Sequence, residues 1–485
     1  MKAVFLLTVV ITSFSSLIAN GENFEATLNA LKEESLVLKI TEHGVVGDGE
    51  TINTVGLQKA IDYCHEKGGG TLWFPAGKYV TGTIRLKSNI TLSFDHEAYL
   101  LGSLKMEDYP TDKLRSAREG QAECLIYAED AENIQFKGLG VIDGRGTPEF
   151  FPRNRKSRPG EEQKRRGDRR PRLICMENCK NLTFKGLTYK NPAFWGIHLV
   201  DCRDIHFSAV TIRFRDNNRN NDGIDLDGCE NVLIEQCDIE SGDDAICLKS
   251  SLNPCRNIVV RGCKVSSHTA ALKFGTSSRG GFIDIDVSDC NFHDCPMGAI
   301  KLQSVDGGKL ENIKITRITM DEVGCPIFLR LGNRGTDFAN KRGQQGPIGT
   351  LRNVLISDIK ANVILRADKS PERDPEDEVS DKDLAWAGPI MITGIPGHRI
   401  ENVILKNIQI SFPGHGTGEH TQREVPEDVA KYPEQFFFGV LPAWGAYIRH
   451  AENITFENVQ LETRADDGRE RIVVDDTTNF QELSE

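Results

Sequence analysis

A unit of the form x-Asn-apolar-x-apolar recurs along most of the chain, as KNLTFKGL, ENVLIEQC, RNIVVRGC, ENIKITRI, RNVLISDI, ENVILKNI and ENITFENV. Its amide slot falls at Asn89, Asn133, Asn181, Asp204, Asn231, Asn257, Asp284, Asn312, Asn353, Asn402 and Asn453. From Asn181 to Asn312 the spacings are 23, 27, 26, 27 and 28 residues. A period of that size marks a solenoid, in which each repeat supplies one turn of a stack. Within each unit, short alternating apolar runs are separated by Gly, Asn or Asp, the pattern of short strands joined by tight turns. Few helices fit this scheme, and the composition agrees: 45 Gly and only 7% aromatic residues.

Strands stacked roughly 4.8 Å apart let equivalent Asn side chains bond to one another up the stack. The expected fold is all-β: a single-stranded right-handed parallel β-helix of about ten or eleven coils. Residues 56–69, GLQKAIDYCHEKGG, have helical periodicity ending in glycines and form an N-terminal cap. Three ladder residues, Asn89, Asn181 and Asn453, also stand in Asn-x-Thr sequons, but a buried ladder position favours the structural role.

Residues 1–21, MKAVFLLTVVITSFSSLIANG, combine Lys2, an apolar run and small residues at a cleavable end, as in a secretory signal peptide. Residues 22–485 then form one β-helix domain of a secreted or periplasmic protein, monomeric and without membrane attachment once the signal is cut. Wider spacings between units place inserted loops at 146–172, 331–350, 367–388 and 411–440.

With 59 basic against 71 acidic residues the net charge is −12, which excludes general nucleic-acid binding. Locally the balance reverses: residues 153–172 carry ten Lys or Arg against three acids, either a solvated loop or a rim that draws in a polyanion. Thirteen cysteines are present, and Cys179, Cys202, Cys229 and Cys255 hold the same slot in successive units. Small fillers of a stacked interior explain that placement as well as disulfides do. No paired CxxC or His pattern suggests zinc, and no cofactor is called for.

The strands preceding the Asn turns align as WGIHL (195–199), DGIDL (222–226), DAICL (244–248), AALKF (270–274) and GAIKL (298–302). With Ile197, Ile224, Ile246, Leu272 and Ile300 pointing inward, side-chain alternation turns His198, Asp225, Cys247, Lys273 and Lys301 outward on one face. Asp222, Asp243 and Asp244 stand at the strand starts. Asp222 and Asp243 are 21 residues apart, about one coil, so their carboxyls lie on adjacent rungs. Like charges that close raise at least one pKa and leave a protonated acid beside ionised partners. Such a set suits glycosidic hydrolysis, in which one carboxyl protonates the leaving oxygen and others activate water. Calcium ligation is the competing chemistry.

At these residues the chain resembles family 28 of the glycoside hydrolases, the polygalacturonase (pectinase) group. The family's Asn-x-Asp motif is matched by Asn220-Asn221-Asp222, and its Asp-Asp pair by Asp243-Asp244 in SGDDAICLKS. The likeness begins at HGVVGDGETINTVGLQKAI and GGGTLWFPAGKYVTGTIRLKSNITL and continues through NPAFWGIHLVDCRDI. It implies Asp243 as general acid, Asp222 and Asp244 as bases holding the water, and inversion at the anomeric carbon. The family's Arg-Ile-Lys motif survives as Ala299-Ile300-Lys301, so Lys301 would bind a substrate carboxylate or hydroxyl, with Asp225 lining the neighbouring subsite. Thr269-Ala270-Ala271 replaces the family's Gly-His-Gly. His268 is a substitute out of register, and Lys273 a replacement for the lost cation. His198 and Trp195 are further substrate-binding candidates, although Trp195 equally suits packing under a loop. The implied activity is secreted hydrolysis of an acidic, galacturonate-containing polysaccharide or oligosaccharide. A β-helix polysaccharide lyase, or a non-catalytic carbohydrate-binding solenoid, is the alternative.

Overall fold

Residues 36–111, 123–152, 169–215, 218–335, 346–366 and 379–484 are described in a computed structural model of the chain. The expected signal peptide and most of the inserts at 146–172, 331–350 and 367–388 lie outside these residues. Strands pair in parallel with their counterparts one turn later, giving a right-handed parallel β-helix of three stacked sheets.

Each sheet follows from one apolar position per turn. On the ladder-bearing sheet the register runs Ile134, Leu182, Ile205, Val232, Ile258, Ile285, Ile313, Val354, Val403 and Ile454. On the next it runs Ile142, Tyr189, Ile212, Ile239, Val265 and Phe292. The third, which carries the candidate site, runs Ile174, Ile197, Ile224, Ile246, Leu272, Ile300 and Ile327. These side chains meet in one interior extending from Leu38 to Phe456. Identical residues stack on identical residues: the rings of Phe136, Phe184 and Phe207 lie 5.0 and 4.4 Å apart and nearly parallel. The thirteen cysteines are all buried with free thiols, as fillers of this interior would be.

The ladder amides bond up the stack, for example Asn133 Nδ2 to Asn89 Oδ1 at 2.7 Å and Asn402 Nδ2 to Asn353 Oδ1 at 3.1 Å. Asn479 adds a rung after Asn453, and the strands Val37–Lys39 and Gly70–Phe74 precede Asn89, so the stack is taller than the sequence ladder. The residues are not buried as expected: Asn89, Asn181 and Asn453 are exposed. Each ladder residue is left-handed, with φ of 66° at Asn89 and 61° at Asn312, and so stands on an outer corner. Asn and Asp tolerate that backbone best among residues with a side chain, which is why the slot holds them.

The helix Thr54–Glu66 closes the N-terminal end, with Leu57, Ala60, Ile61 and Cys64 buried against the first coils. At its exit Gly69 has φ +135°, and a Cβ there would lie 2.6 Å from the carbonyl oxygen of Asn89. The connection 413–442 leaves the stack after Phe412 and returns at Ala443. Its Val425, Phe438 and Leu441 cover Phe328, Met391 and Tyr447 on the outer face of the third sheet. That apolar patch walls one end of the face bearing the carboxylates.

Candidate active site

Register places the site. His198 pairs with Asp225, Asp225 with Cys247, Cys247 with Lys273, and Lys273 with Lys301, so one outward column crosses five strands. Asp222 precedes the strand Ile224–Asp227, and Asp243 and Asp244 precede Ile246–Ser250. The amide of Gly223 donates to Asp244 O at 2.8 Å, which brings the two strand starts together. A Cβ on Gly223 would lie 2.4 Å from Ala245 O, so only glycine permits this approach. Carboxylate oxygens of Asp222, Asp243 and Asp244 consequently lie within 4.8 Å of one another.

Neighbouring groups divide the three. Burial pushes the Asp244 carboxyl up, but Lys273, Lys249, a hydrogen bond from Thr269 and Lys301 outweigh it and hold Asp244 below the usual carboxylate range. Lys273 Nζ is 3.0 Å from Asp244 Oδ2, and Thr269 Oγ1 donates to Asp244 Oδ1 at 2.7 Å. Asp243 is pushed up to about 6, by burial first and by the charge of Asp244 second. Its Oδ2 accepts from Asn220 Nδ2 at 3.3 Å, and its Oδ1 from the amide of Asp244 at 3.0 Å. Asp222 is raised well above the carboxylate range by burial, then by Asp225, Asp243 and Asp244. It is 3% exposed and its Oδ1 has no hydrogen-bond partner. One ionised acid therefore faces two that hold protons more tightly.

Asp225 is fully buried in the column, 3.4 Å from Lys249 Nζ. Lys273 and Lys301 lie beside the trio, both bonded to Glu434. His198 is fully buried, with neither ring nitrogen hydrogen-bonded, and burial, then Arg172 and Lys249, push its pKa well below the ordinary value. Trp195 is 6% exposed and sandwiched, with Lys249 Nζ 4.4 Å and the Arg172 guanidinium 5.0 Å from its ring centroid. Both residues stand beneath the surface of the site. His268 is exposed on the turn before Thr269, and it is the Thr269 hydroxyl that reaches the carboxylates.

Four participants escaped the sequence reading. Lys249 lies two residues past Cys247 on the same strand, so alternation already turned it outward. Arg170 and Arg172 end the basic segment 153–172, but they are 0% and 1% exposed instead of solvated. Arg170 bonds to Ala193 O at 3.2 Å and to Asn220 Oδ1 at 3.2 Å, which links it through Asn220 to Asp243. Backbone carbonyls and the face of Phe194, 4.9 Å away, replace its water. Glu434 comes from the connection 413–442, for which no local signal exists.

The acids also have the spacing of a cation site: Asp222, Asp243 and Asp244 form one such group, and Asp222, Asp225 and Cys247 another. Ammonium groups already face both, with Lys249 3.9 Å from Asp222 and Lys273 3.0 Å from Asp244. A divalent ion seated there would be repelled by each.

The family model described as "Glycosyl hydrolases family 28" matches residues 64–372. A relative described as a probable polygalacturonase from Vitis vinifera is 29% identical over 326 residues, 62% of this chain. The match spans 64% of that relative's own length. Among solved structures, a family 28 exopolygalacturonase from Yersinia enterocolitica aligns with a TM-score of 0.68 at 20% identity, covering 92% of this chain and 78% of that one. An exopolygalacturonase from Thermotoga maritima aligns at 0.65 and 20%, covering 88% and 92%. At such identity the structures establish the likeness of fold. Among the described residues no helix is long and apolar enough to cross a membrane.

Proposed function

Because the chain belongs to glycosyl hydrolase family 28, we propose that it hydrolyses glycosidic bonds of an acidic, galacturonate-containing polysaccharide or oligosaccharide, outside the cell that makes it. The observation that carries this reading is the divided ionisation of Asp222, Asp243 and Asp244 within one 4.8 Å cluster. Asp243, the least buried of the three, gives its proton to the leaving oxygen. Asp244, held ionised by Lys273, accepts a proton from water. Asp222 completes the water's seat; burial first and Asp225 second favour its protonated form, and Asp243 adds to that only while it is ionised.

Inversion rests on the family likeness. The oxygens approach more closely than the roughly 6.5–9.5 Å separation common in inverting pairs, so the water sits beside the trio and not between two of its members. Proton NMR of the first-formed anomer decides the point. A second observation favours attack from a chain end: the connection 413–442 walls one end of the carboxylate face. Release of single sugars from a long polymer supports it, and a ladder of mid-sized products rules it out.

The deciding experiment incubates the purified chain with polygalacturonate and mixed pectic polymers, with and without a chelator. New reducing ends with no gain in ultraviolet absorbance, undiminished by the chelator, identify hydrolysis. Unsaturated, ultraviolet-absorbing products that need a metal would mean a lyase. Binding without cleavage, untouched by Asp243→Asn, would mean a carbohydrate-binding solenoid.

A further inference from the structure

Lys273 and Lys301 follow one another on the outward column in direct register, and they are 3% and 0% exposed. Two buried ammonium groups one rung apart require anions beside them. Asp244 supplies one, 3.0 Å from Lys273. Glu434 supplies the other: its Oε1 lies 3.2 Å from Lys273 Nζ and its Oε2 accepts from Lys301 Nζ. Each oxygen thus takes one lysine, as the carboxylate of an acidic sugar in the same place would.

Glu434 is itself 4% exposed and held on both sides. Gln303 Nε2 donates to Pro433 O at 2.8 Å, and Gln435 Nε2 to Met297 O at 2.6 Å. Phe436 stacks on Trp386 with 4.7 Å between centroids, and Arg330 donates to the carbonyls of Glu427 and Asp428. The local charges close: Lys273 and Lys301 against Asp244 and Glu434. Among the described residues, a further carboxylate brought to this place would meet Glu434 with both of these lysines already paired.

We propose that Glu434 is a specificity-determining residue, an internal carboxylate that fills the lysine pair so that the sugar ring seated against it is a neutral one. The substrate bond would then join an acidic to a neutral sugar in a mixed polymer. This rests on the reading of the site as a glycosidase site, but its test requires no turnover. Galactose and galacturonate differ only at C6, hydroxymethyl against carboxylate, so a pair of titrations followed by NMR of the sugar isolates the charge. Wild type is compared with Glu434→Ala and the near-isosteric Glu434→Gln, each checked for native circular dichroism. In either folded variant galacturonate affinity should rise at least tenfold while galactose affinity changes less than twofold. Galacturonate affinity unchanged or lowered in a folded variant would overturn the proposal. A chain that hydrolyses nothing would end the catalytic reading and leave these affinities to decide this one.

Discussion

Thr269 Oγ1 lies 2.7 Å from Asp244 Oδ1 and also 3.2 Å from Asp243 Oδ1. A hydroxyl has one proton to give, and the two carboxylates compete to accept it, which favours their ionised forms. It donates to Asp244 by the shorter contact and to Asp243 by the longer. Replacing Thr269 by Val keeps the shape and removes that link. Its hydrogen bonds lower both acids, so both should titrate at higher pH in the variant. We expect kcat/KM to fall by about 10–100-fold, the range of one such hydrogen bond at a reacting centre, with the whole pH profile displaced upward. A profile that keeps its position while the rate falls would show that Thr269 acts by packing alone.

With Asp243 as the proposed acid and Asp244 as the proposed base, the two limbs of the wild-type profile have separate owners. Asp243 must carry its proton, so the rate should decline as pH rises through about 6. Asp244 must have lost its proton and is held below the usual carboxylate range, so the acid limb should lie lower than an ordinary carboxylate would set it. Activity is therefore expected to peak on the acid side of neutrality. Initial rates measured from pH 3 to 8 check both limbs, and an optimum above 7 would remove Asp243 from the role of acid.

Asp243→Asn should cost most of the rate and yet stabilise the fold near neutrality. Native Asp243 binds its proton more tightly than the unfolded chain does, so its contribution to stability is present at about pH 4 and lost as pH rises through about 6. An amide carries no such dependence and relieves the repulsion among the three acids. The gain at pH 7.5 should be about 1–3 kcal/mol, vanishing at pH 4, by thermal or denaturant unfolding of the two proteins side by side. Equal stability at both pH values would mean that Asp243 is not strained by its neighbours.

Much of the site was legible because a parallel stack converts sequence period into spatial register. Once Ile197, Ile224, Ile246, Leu272 and Ile300 share the inward slot, alternation alone turns Asp225, Lys273 and Lys301 outward, and the structure pairs them so. Lys249 was available to the same rule, one alternation further. Illegible residues are those that reach the column from outside the repeat. Glu434 is 133 and 161 positions from the two lysines it bonds, on a connection with no period. Arg170 belongs to a run whose charge reads as solvated, because composition carries no trace of the aromatic faces and carbonyls that bury it. The exposure of the ladder was hidden for another reason: repetition marks the slot, and only its left-handed backbone turns it to the outer corner.

That left-handed backbone sets the stability of the stack, and Asn312 isolates its contribution. Asn312 has φ 61°, donates to Asp284 Oδ1 at 2.9 Å and accepts from Asn353 Nδ2 at 3.2 Å. Alanine would lose both bonds and keep a Cβ in the left-handed region, a combined cost of about 2–3 kcal/mol. Glycine loses the same bonds without the steric strain, and offsets part of that gain by its greater freedom when unfolded. Asn312→Gly should therefore lie roughly 1 kcal/mol above Asn312→Ala in unfolding free energy, with both below wild type. Since Asn312 sits on the ladder sheet and Lys301 on another, neither change should alter KM for substrate. Glycine and alanine variants of equal stability would mean that the hydrogen bonds alone, and not the backbone conformation, select asparagine at this corner.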